Sequence, residues 1–169
     1  YLGAGLEKEK TALLCVLGAR EDGEKELVAI EPGYRESTES WAGVVRDLRG
    51  RGLQAPLLAI GDGALGLWAA MDEVFPTTEH QRCWNHRVLN VQAKLPKRLQ
   101  PEARERLREM AYTETQAACE ELRDRYVADL RAADQRSAAE TVLRDWEEFV
   151  TFYRCEQPRI SPPPTLKMP

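Results

Sequence analysis

One stretch of the sequence, residues 57–71 (LLAIGDGALGLWAAM), constrains the fold more than any other. Its apolar start is typical of a buried β-strand, and residues 64–74 repeat apolar side chains at helical spacing. Between the two, a Gly-Asp-Gly sequence lets the backbone turn sharply and leaves space beside the carboxylate of Asp62. Open α/β sheets carry their working residues at the carboxyl ends of their strands. The stretch therefore predicts an α/β domain with Asp62 at a functional edge.

Two interpretations of Asp62 follow from this position. A carboxylate at a strand end is a natural ligand for a hard cation such as Mg²⁺, which prefers oxygen ligands. Aspartate is also a favoured N-cap residue, and Asp62 would then only begin the helix that follows. The spacing of the residues alone favours the interpretation of Asp62 as the N-cap.

Apolar and turn residues predict a hairpin near the start of the chain. Thr11–Ala19 and Leu27–Ile30 are rich in Leu and Val, and the Asp-Gly pair between them is a strong turn signal. Pro32 and Gly33 are expected to end the second strand. Tyr1–Leu6 is expected to add a third strand, which makes a meander.

Helices and strands are expected to alternate after the hairpin. A first helix, capped by Ser37 or Thr38, carries apolar residues at helical spacing and ends at Gly50 and Gly52. The elements expected next are a strand at residues 57–60, a helix at 64–74, a short strand in EHQRCW and a helix at 85–94. This order predicts a mixed α/β sheet.

Beyond Leu99 the sequence becomes strongly helical. Residues 102–150 contain no glycine and no proline and are rich in Ala, Glu, Arg and Leu. Three helices are predicted: Pro101–Ala118, Cys119–Ala133 and Ser137–Tyr153. Arg154–Pro169 holds five prolines without periodicity, which predicts a disordered tail.

Composition sets the class of protein. No apolar stretch approaches the roughly 20 residues that span a bilayer, so no membrane segment is predicted. The four cysteines show no paired spacing, and with no signal peptide in view we expect reduced thiols in the cytoplasm. A net charge of −4 weighs against nucleic acid as the main partner, although a local basic surface can bind phosphates on an acidic chain.

A Cys-x-x-His pair, Cys83 and His86, follows His80 in HQRCWNH. Structural zinc needs about four ligands, and the chain offers no second Cys or His pair. The residues alone therefore indicate a buried cysteine at a strand end and a histidine at the start of a helix.

Residues 55–97 (APLLAIGDGALGLWAAMDEVFPTTEHQRCWNHRVLNVQAKLPK) combine several spaced elements. These are Asp-Gly-x-x-Gly, Val-Phe-Pro, Gln-Arg-Cys-x-x-His, a following Asn and a closing Pro-Lys, and residues 18–41 add further likeness. Together they resemble the Mutator-type transposases of bacterial insertion sequences, and the resemblance covers residues 1–153.

The resemblance implies a ribonuclease H-like mixed sheet with an all-helical insertion. Transposases of this kind use three acidic residues, the DDE triad, to bind two Mg²⁺ or Mn²⁺ ions that activate the attacking oxygen and stabilise the leaving one. By this likeness Asp62 is the second acid, both catalytic and metal-binding. Cys83 and His86 would support the active site or position DNA.

By the same likeness, residues 1–97 form a partial catalytic core, 98–153 the helical insertion and 154–169 the disordered tail. The first acid is expected just before Tyr1. The triad glutamate is expected after the insertion, and none of Glu147, Glu148 and Glu156 matches its motif. We therefore expect a chain truncated at both ends, inactive by itself, with a frame shift or premature end as our hypothesis for the tail.

DNA is the partner that the resemblance implies, in the form of the element's terminal inverted repeats and target DNA, with a homo-oligomer in the DNA complex. Transposases contact phosphates largely through Lys and Arg. The candidates, which cluster around the third helix, are Arg82, Arg87, Lys94, Lys97 and Arg98. Each of them alone is equally well explained as part of a solvated helix face.

Two other functions stay open on the sequence. One is another ribonuclease H-like nuclease, such as a junction resolvase, which would share the metal chemistry. The other is a non-catalytic transposase remnant that binds DNA or pairs with full-length transposase.

Overall fold

The computed structural model describes residues 12–20, 22–34 and 37–155, which form two compact units. The hairpin unit comprises Tyr1–Leu57 and Gly63–Thr78, and the helical unit comprises Leu58–Asp62 and Glu79–Pro169. After an opening pair of strands, helices and strands alternate through residue 92, which confirms the predicted α/β class. The predicted domain boundary after residue 97 stays a prediction. None of the helices in the described ranges is long and apolar enough to cross a membrane.

The hairpin unit begins with the predicted pair of antiparallel strands, β1 (Ala12–Ala19) and β2 (Lys25–Gly33). The turn between them is closed by Gly23, whose φ of 86° suits glycine and whose N–H donates to the Arg20 carbonyl at 2.9 Å. The predicted third strand at Tyr1–Leu6 lies outside the described residues.

The second strand ends at Gly33, within the predicted Pro-Gly pair, but it is longer than the expected Leu27–Ile30 and includes Pro32, which lies opposite Leu13. A proline is tolerated in a strand that has a ladder partner on one side only. Among the described residues β2 pairs with β1 alone, so the missing N–H of Pro32 interrupts no second ladder.

Helix α1 (Thr38–Gly50) begins at the predicted cap, since the Ser37 hydroxyl accepts a hydrogen bond from the Ser40 N–H at 3.2 Å. Its buried face packs Val44 and Leu48 against Leu14 of β1. Helix α2 (Leu65–Val74) completes the hairpin unit.

The helical unit contains a second sheet of two parallel strands, β3 (Leu58–Gly61) and β4 (Glu79–Arg82). Both short strands were predicted. The ladder is extended by the Cys83 N–H, which donates to the Gly61 carbonyl at 2.7 Å. Helix α3 (Trp84–Gln92) starts directly after β4, within one residue of the predicted start.

Three further helices follow: α4 (Gln100–Ala111), α5 (Gln116–Ala132) and α6 (Arg136–Leu143). The predicted continuation of the first of them to Ala118 is wrong. The Thr115 hydroxyl accepts from the Ala118 N–H at 3.2 Å and so caps a new helix.

The predicted helix from Ser137 to Tyr153 is also too long. It ends at Leu143, and Asp145 takes a left-handed conformation with φ 52°. Two 3₁₀ turns follow, at Trp146–Phe149 and Thr151–Tyr153. The apolar residues that predicted one long helix instead belong to these turns, and Trp146 and Phe149 are buried in the core of the helical unit.

The core of the helical unit joins α3 to the helices after it and to the two turns. Leu107 and Val142 are fully buried in it, and Cys119 is a buried free thiol. The Tyr153 hydroxyl lies 2.6 Å from the Thr113 hydroxyl, and burial raises the pKa of Tyr153 to about 12. The C-terminal turn is therefore held against the loop between α4 and α5.

We expect Leu107→Ala to lower the free energy of unfolding of the helical unit by about 2–5 kcal/mol, because it leaves a cavity at a fully buried position. Leu89→Ala is the matched control, since Leu89 is 60% exposed, and we expect less than about 0.5 kcal/mol from it. Urea unfolding, monitored by hydrogen exchange of the α4 amides, measures the free energy of unfolding of both variants. Equal effects of the two substitutions would contradict the assigned core.

Candidate functional site

Asp62 lies at the carboxyl end of β3, beside the end of β4. The parallel register pairs Gly61 with Arg82, so Asp62 and Cys83 are the first residues beyond the paired strands. The N-cap position of α2 is Ala64, two residues beyond Asp62, and its side chain makes no capping hydrogen bond. The interpretation of Asp62 as the N-cap residue is therefore wrong, and the carboxylate stands at the strand edge instead.

Asp62 lines a cleft of about 380 Å³ that lies within the helical unit. Its lining comes from the strand edge, from α3 and the two residues that follow it, and from four residues between Thr141 and Phe149. Six of the eight predicted site residues line this cleft, namely Asp62, Arg82, Cys83, His86, Arg87 and Lys94. The other two, Lys97 and Arg98, are exposed and are not among its lining residues.

The geometry of α3 explains why so many predicted residues meet. Cys83, His86 and Asn90 are spaced by three and four residues, which places them on one face of the helix. Trp84 and Val91 belong to the buried face. Because Trp84 and Val91 pack in the core, the face that carries Cys83, His86 and Asn90 is turned toward the cleft.

Arg87 is a structural residue of the cleft wall. Its guanidinium donates to the carbonyls of Thr141 and Arg144 and stacks 3.8 Å from the centre of the Phe149 ring. The carbonyls at the end of a helix have no partner within it, so Arg87 supplies donors and positive charge to the C-terminus of α6.

Burial, together with the nearby charge of Arg82, lowers the pKa of Arg87 to about 10, which leaves it charged at neutral pH. Only 5% of Arg87 is exposed. We therefore leave it out of the candidate phosphate contacts.

Arg82 is also engaged within the protein. It donates to the Asp145 carboxylate, and its Nε lies 3.6 Å from an oxygen of Glu148. These two carboxylates offset part of its positive charge at the mouth of the cleft.

The exposed polar residues of the cleft include two that were not among the predicted site residues: Asn90, the Asn of the family-like pattern, and Arg144. Asn90 follows His86 by four residues on the same helical face, so helical spacing would have found it. Arg144 comes from beyond α6, and only the folded chain brings it into the same cleft lining as Lys94.

The described residues do not complete a metal site. No group of three or more His, Cys, Asp or Glu side chains in the described ranges is placed to hold a metal ion. Asp145, the other carboxylate in the cleft lining, is paired with Arg82. Mg²⁺ takes six oxygen ligands, usually one or two carboxylates with waters and substrate phosphates. Among the residues that the structure describes, Asp62 is the one carboxylate directly beyond the paired strands.

Comparison with known proteins gives a consistent set of similarities. The family model described as transposase, Mutator family, matches residues 5–161. A transposase for insertion sequence element IS6120 of Mycolicibacterium smegmatis is 46% identical over 91% of this chain and 47% of its own length. A transposase for insertion sequence element IST2 of Acidithiobacillus ferrooxidans is 42% identical over 87% of this chain and 50% of its own length. The chain spans about half the length of these curated relatives.

We expect Arg87→Met to lower the free energy of unfolding of the helical unit by about 3 kcal/mol, because it leaves the Thr141 and Arg144 carbonyls without their charged donor. Arg98→Met serves as the control, since Arg98 is exposed, and its effect should stay below about 0.5 kcal/mol. Urea denaturation monitored by circular dichroism compares the two. A mild effect of Arg87→Met would show that its buried hydrogen bonds contribute little.

Proposed function

The chain belongs to the Mutator family of transposases, and from this membership we propose that it is part of the catalytic region of an insertion-sequence transposase, which cleaves and joins DNA phosphodiester bonds. The observation that carries the proposal is the family match over residues 5–161. The cleft that gathers Asp62 with basic side chains supports it.

We propose that the whole domain has a ribonuclease H-like fold. The order of its described elements supports this: an antiparallel hairpin, a helix, and then two parallel strands separated by a helix. The helices α4–α6 would then be the all-helical insertion. Asp62, at the carboxyl end of β3, stands where an α/β sheet places its working residues.

Asp62 is proposed as one carboxylate ligand of the Mg²⁺ or Mn²⁺ ions that the family chemistry requires. Its place at the strand edge, beside the cleft, supports the assignment. The remaining acidic ligands would come from parts of the protein outside the described residues. Cys83 and His86 flank this position and are proposed to support it or to position DNA.

DNA is the proposed partner, as terminal inverted repeats and as target, bound by a homo-oligomer. Lys94 and Arg144 are exposed cations in the lining of the cleft and are the leading candidates for phosphate contacts. Arg82 contributes a charge that Asp145 and Glu148 partly offset. Lys97 and Arg98 would extend the basic surface beyond the cleft.

We expect Asp62→Asn in the full-length transposase to reduce Mg²⁺- or Mn²⁺-dependent cleavage of element ends by about 10²-fold or more, since the amide lacks the ligand charge. DNA affinity should change little. Asp129→Asn is the control, because Asp129 is an exposed aspartate of α5 paired with Arg106.

Gel assays of end cleavage, run beside binding titrations, make this comparison. Cleavage by Asp62→Asn at the wild-type rate would exclude Asp62 from the active site. Specific binding of the ends by a wild-type protein that cleaves none of them would instead favour a non-catalytic DNA-binding role.

For the phosphate contacts, Lys94→Gln and Arg144→Gln should each weaken duplex DNA binding. Each should also reduce, by about 0.9, the magnitude of the negative slope of the logarithm of the association constant against the logarithm of the salt concentration. The loss should be similar for element ends and unrelated duplexes, since phosphate contacts carry no sequence information. Arg104→Gln, on the exposed surface of α4, is the matched control. A slope unchanged by both cleft substitutions would remove Lys94 and Arg144 from the interface.

A further inference from the structure

Gln81 is a buried polar side chain in the middle of the sheet that leads to Asp62. It is 2% exposed and pairs with Ile60 of β3. Burying an amide is costly unless its donors and acceptor are satisfied. In Gln81 they are satisfied by main-chain groups, and two of these belong to the segment that follows α6.

The Gln81 amide holds that segment at two points. Its Nε2 donates to the Phe149 carbonyl at 2.8 Å, and its Oε1 accepts from the Phe152 N–H at 3.1 Å. A third bond, from Nε2 to the Arg82 carbonyl at 2.9 Å, fixes the amide on its own strand. One side chain thus bridges β4 to main-chain groups about 70 residues later in the chain.

Trp84 strengthens the same attachment. Its indole N–H donates to the Phe149 carbonyl at 3.1 Å, so this single oxygen accepts from two side chains. Its ring also meets Trp146 and Phe149 edge-on, with centroid separations of 5.8 and 5.5 Å. The aromatic contacts of Trp84 and the hydrogen bonds of Gln81 and Trp84 therefore hold the same segment.

The attached segment is one side of the cleft. Arg144, Asp145 and Phe149 of this segment line the cleft, together with Thr141 of α6 and with Asp62 at the strand edge. Because β3 and β4 share a ladder, a side chain that fixes this segment to β4 also fixes its distance from Asp62.

We propose that Gln81 is a positioning residue, which sets the width of the cleft by holding the segment after α6 against the strand pair that bears Asp62. This inference rests on the proposed transposase function. Gln81 itself lines no part of the cleft, so it acts through the wall that it holds.

The test compares Gln81→Met with Gln100→Met in the full-length transposase. Gln100 is a matched control, since its amide also donates to main-chain carbonyls of the helical unit, Gln92 at 3.0 Å and Leu95 at 3.1 Å. Neither of these residues belongs to the segment after α6. Three quantities are measured: hydrogen exchange of residues 146–153, DNA affinity, and the cleavage rate at saturating DNA.

We expect Gln81→Met to speed exchange in residues 146–153 by about tenfold or more, because the Phe152 N–H loses its acceptor. Cleavage at saturating DNA should fall by about tenfold or more while DNA affinity stays within about twofold. Gln100→Met should leave the exchange of that segment and the cleavage rate near wild type.

Equal cleavage by Gln81→Met and wild type overturns the inference, as does unchanged exchange in residues 146–153. If Gln81→Met does not fold, Gln81→Glu replaces it, since it keeps the acceptor for Phe152 and loses the donors to Phe149 and Arg82. A wild-type protein that cleaves no DNA overturns the proposed function as well, whereas a failure confined to the Gln81 variants overturns this inference alone.

Discussion

The parallel ladder between β3 and β4 is the interaction on which the candidate site depends. It is only four residues long on each strand, and the Cys83 N–H extends it by one hydrogen bond. A ladder this short has little stability alone, and parallel pairs are slightly weaker per residue than antiparallel ones. The ladder can position Asp62 because β4 has further contacts. The side chains of Gln81 and Trp84 both donate to the Phe149 carbonyl and so join β4 and the start of α3 to the core of the helical unit.

The short sequence from Gln81 to Arg87 serves the interior and the cleft at once. Gln81, Trp84 and Arg87 are turned inward, where each donates to a main-chain carbonyl of the distant segment. Cys83 and His86 lie between them and line the cleft. The motif therefore places residues that hydrogen-bond to the distant segment next to residues that line the cleft.

Much of the local structure was predictable from the residues themselves. The turn at Gly23, the cap at Ser37 and the strands on either side of α2 all carry local signals, and each is confirmed. The helix ends near Thr115 and Asp145 were missed. There a side chain and a left-handed residue override an unbroken helical pattern.

The contacts that shape the site were less accessible to sequence reasoning. The bond from Gln81 to Phe149 joins residues 68 positions apart, and no local pattern announces it. Basic residues near α3 looked equivalent in the sequence, yet burial separates Arg87 from Lys94. The ribonuclease H-like architecture and the metal ions stay predictions, since the described residues supply two small sheets and one strand-edge carboxylate.

Asp145 meets two demands at one position: a left-handed backbone, with φ 52° and ψ 36°, and a negative charge beside Arg82. Asparagine and glycine tolerate that backbone but lack the charge, while glutamate carries the charge but fits the backbone poorly. A substitution at this position therefore gives up either the charge beside Arg82 or the fit to the left-handed backbone.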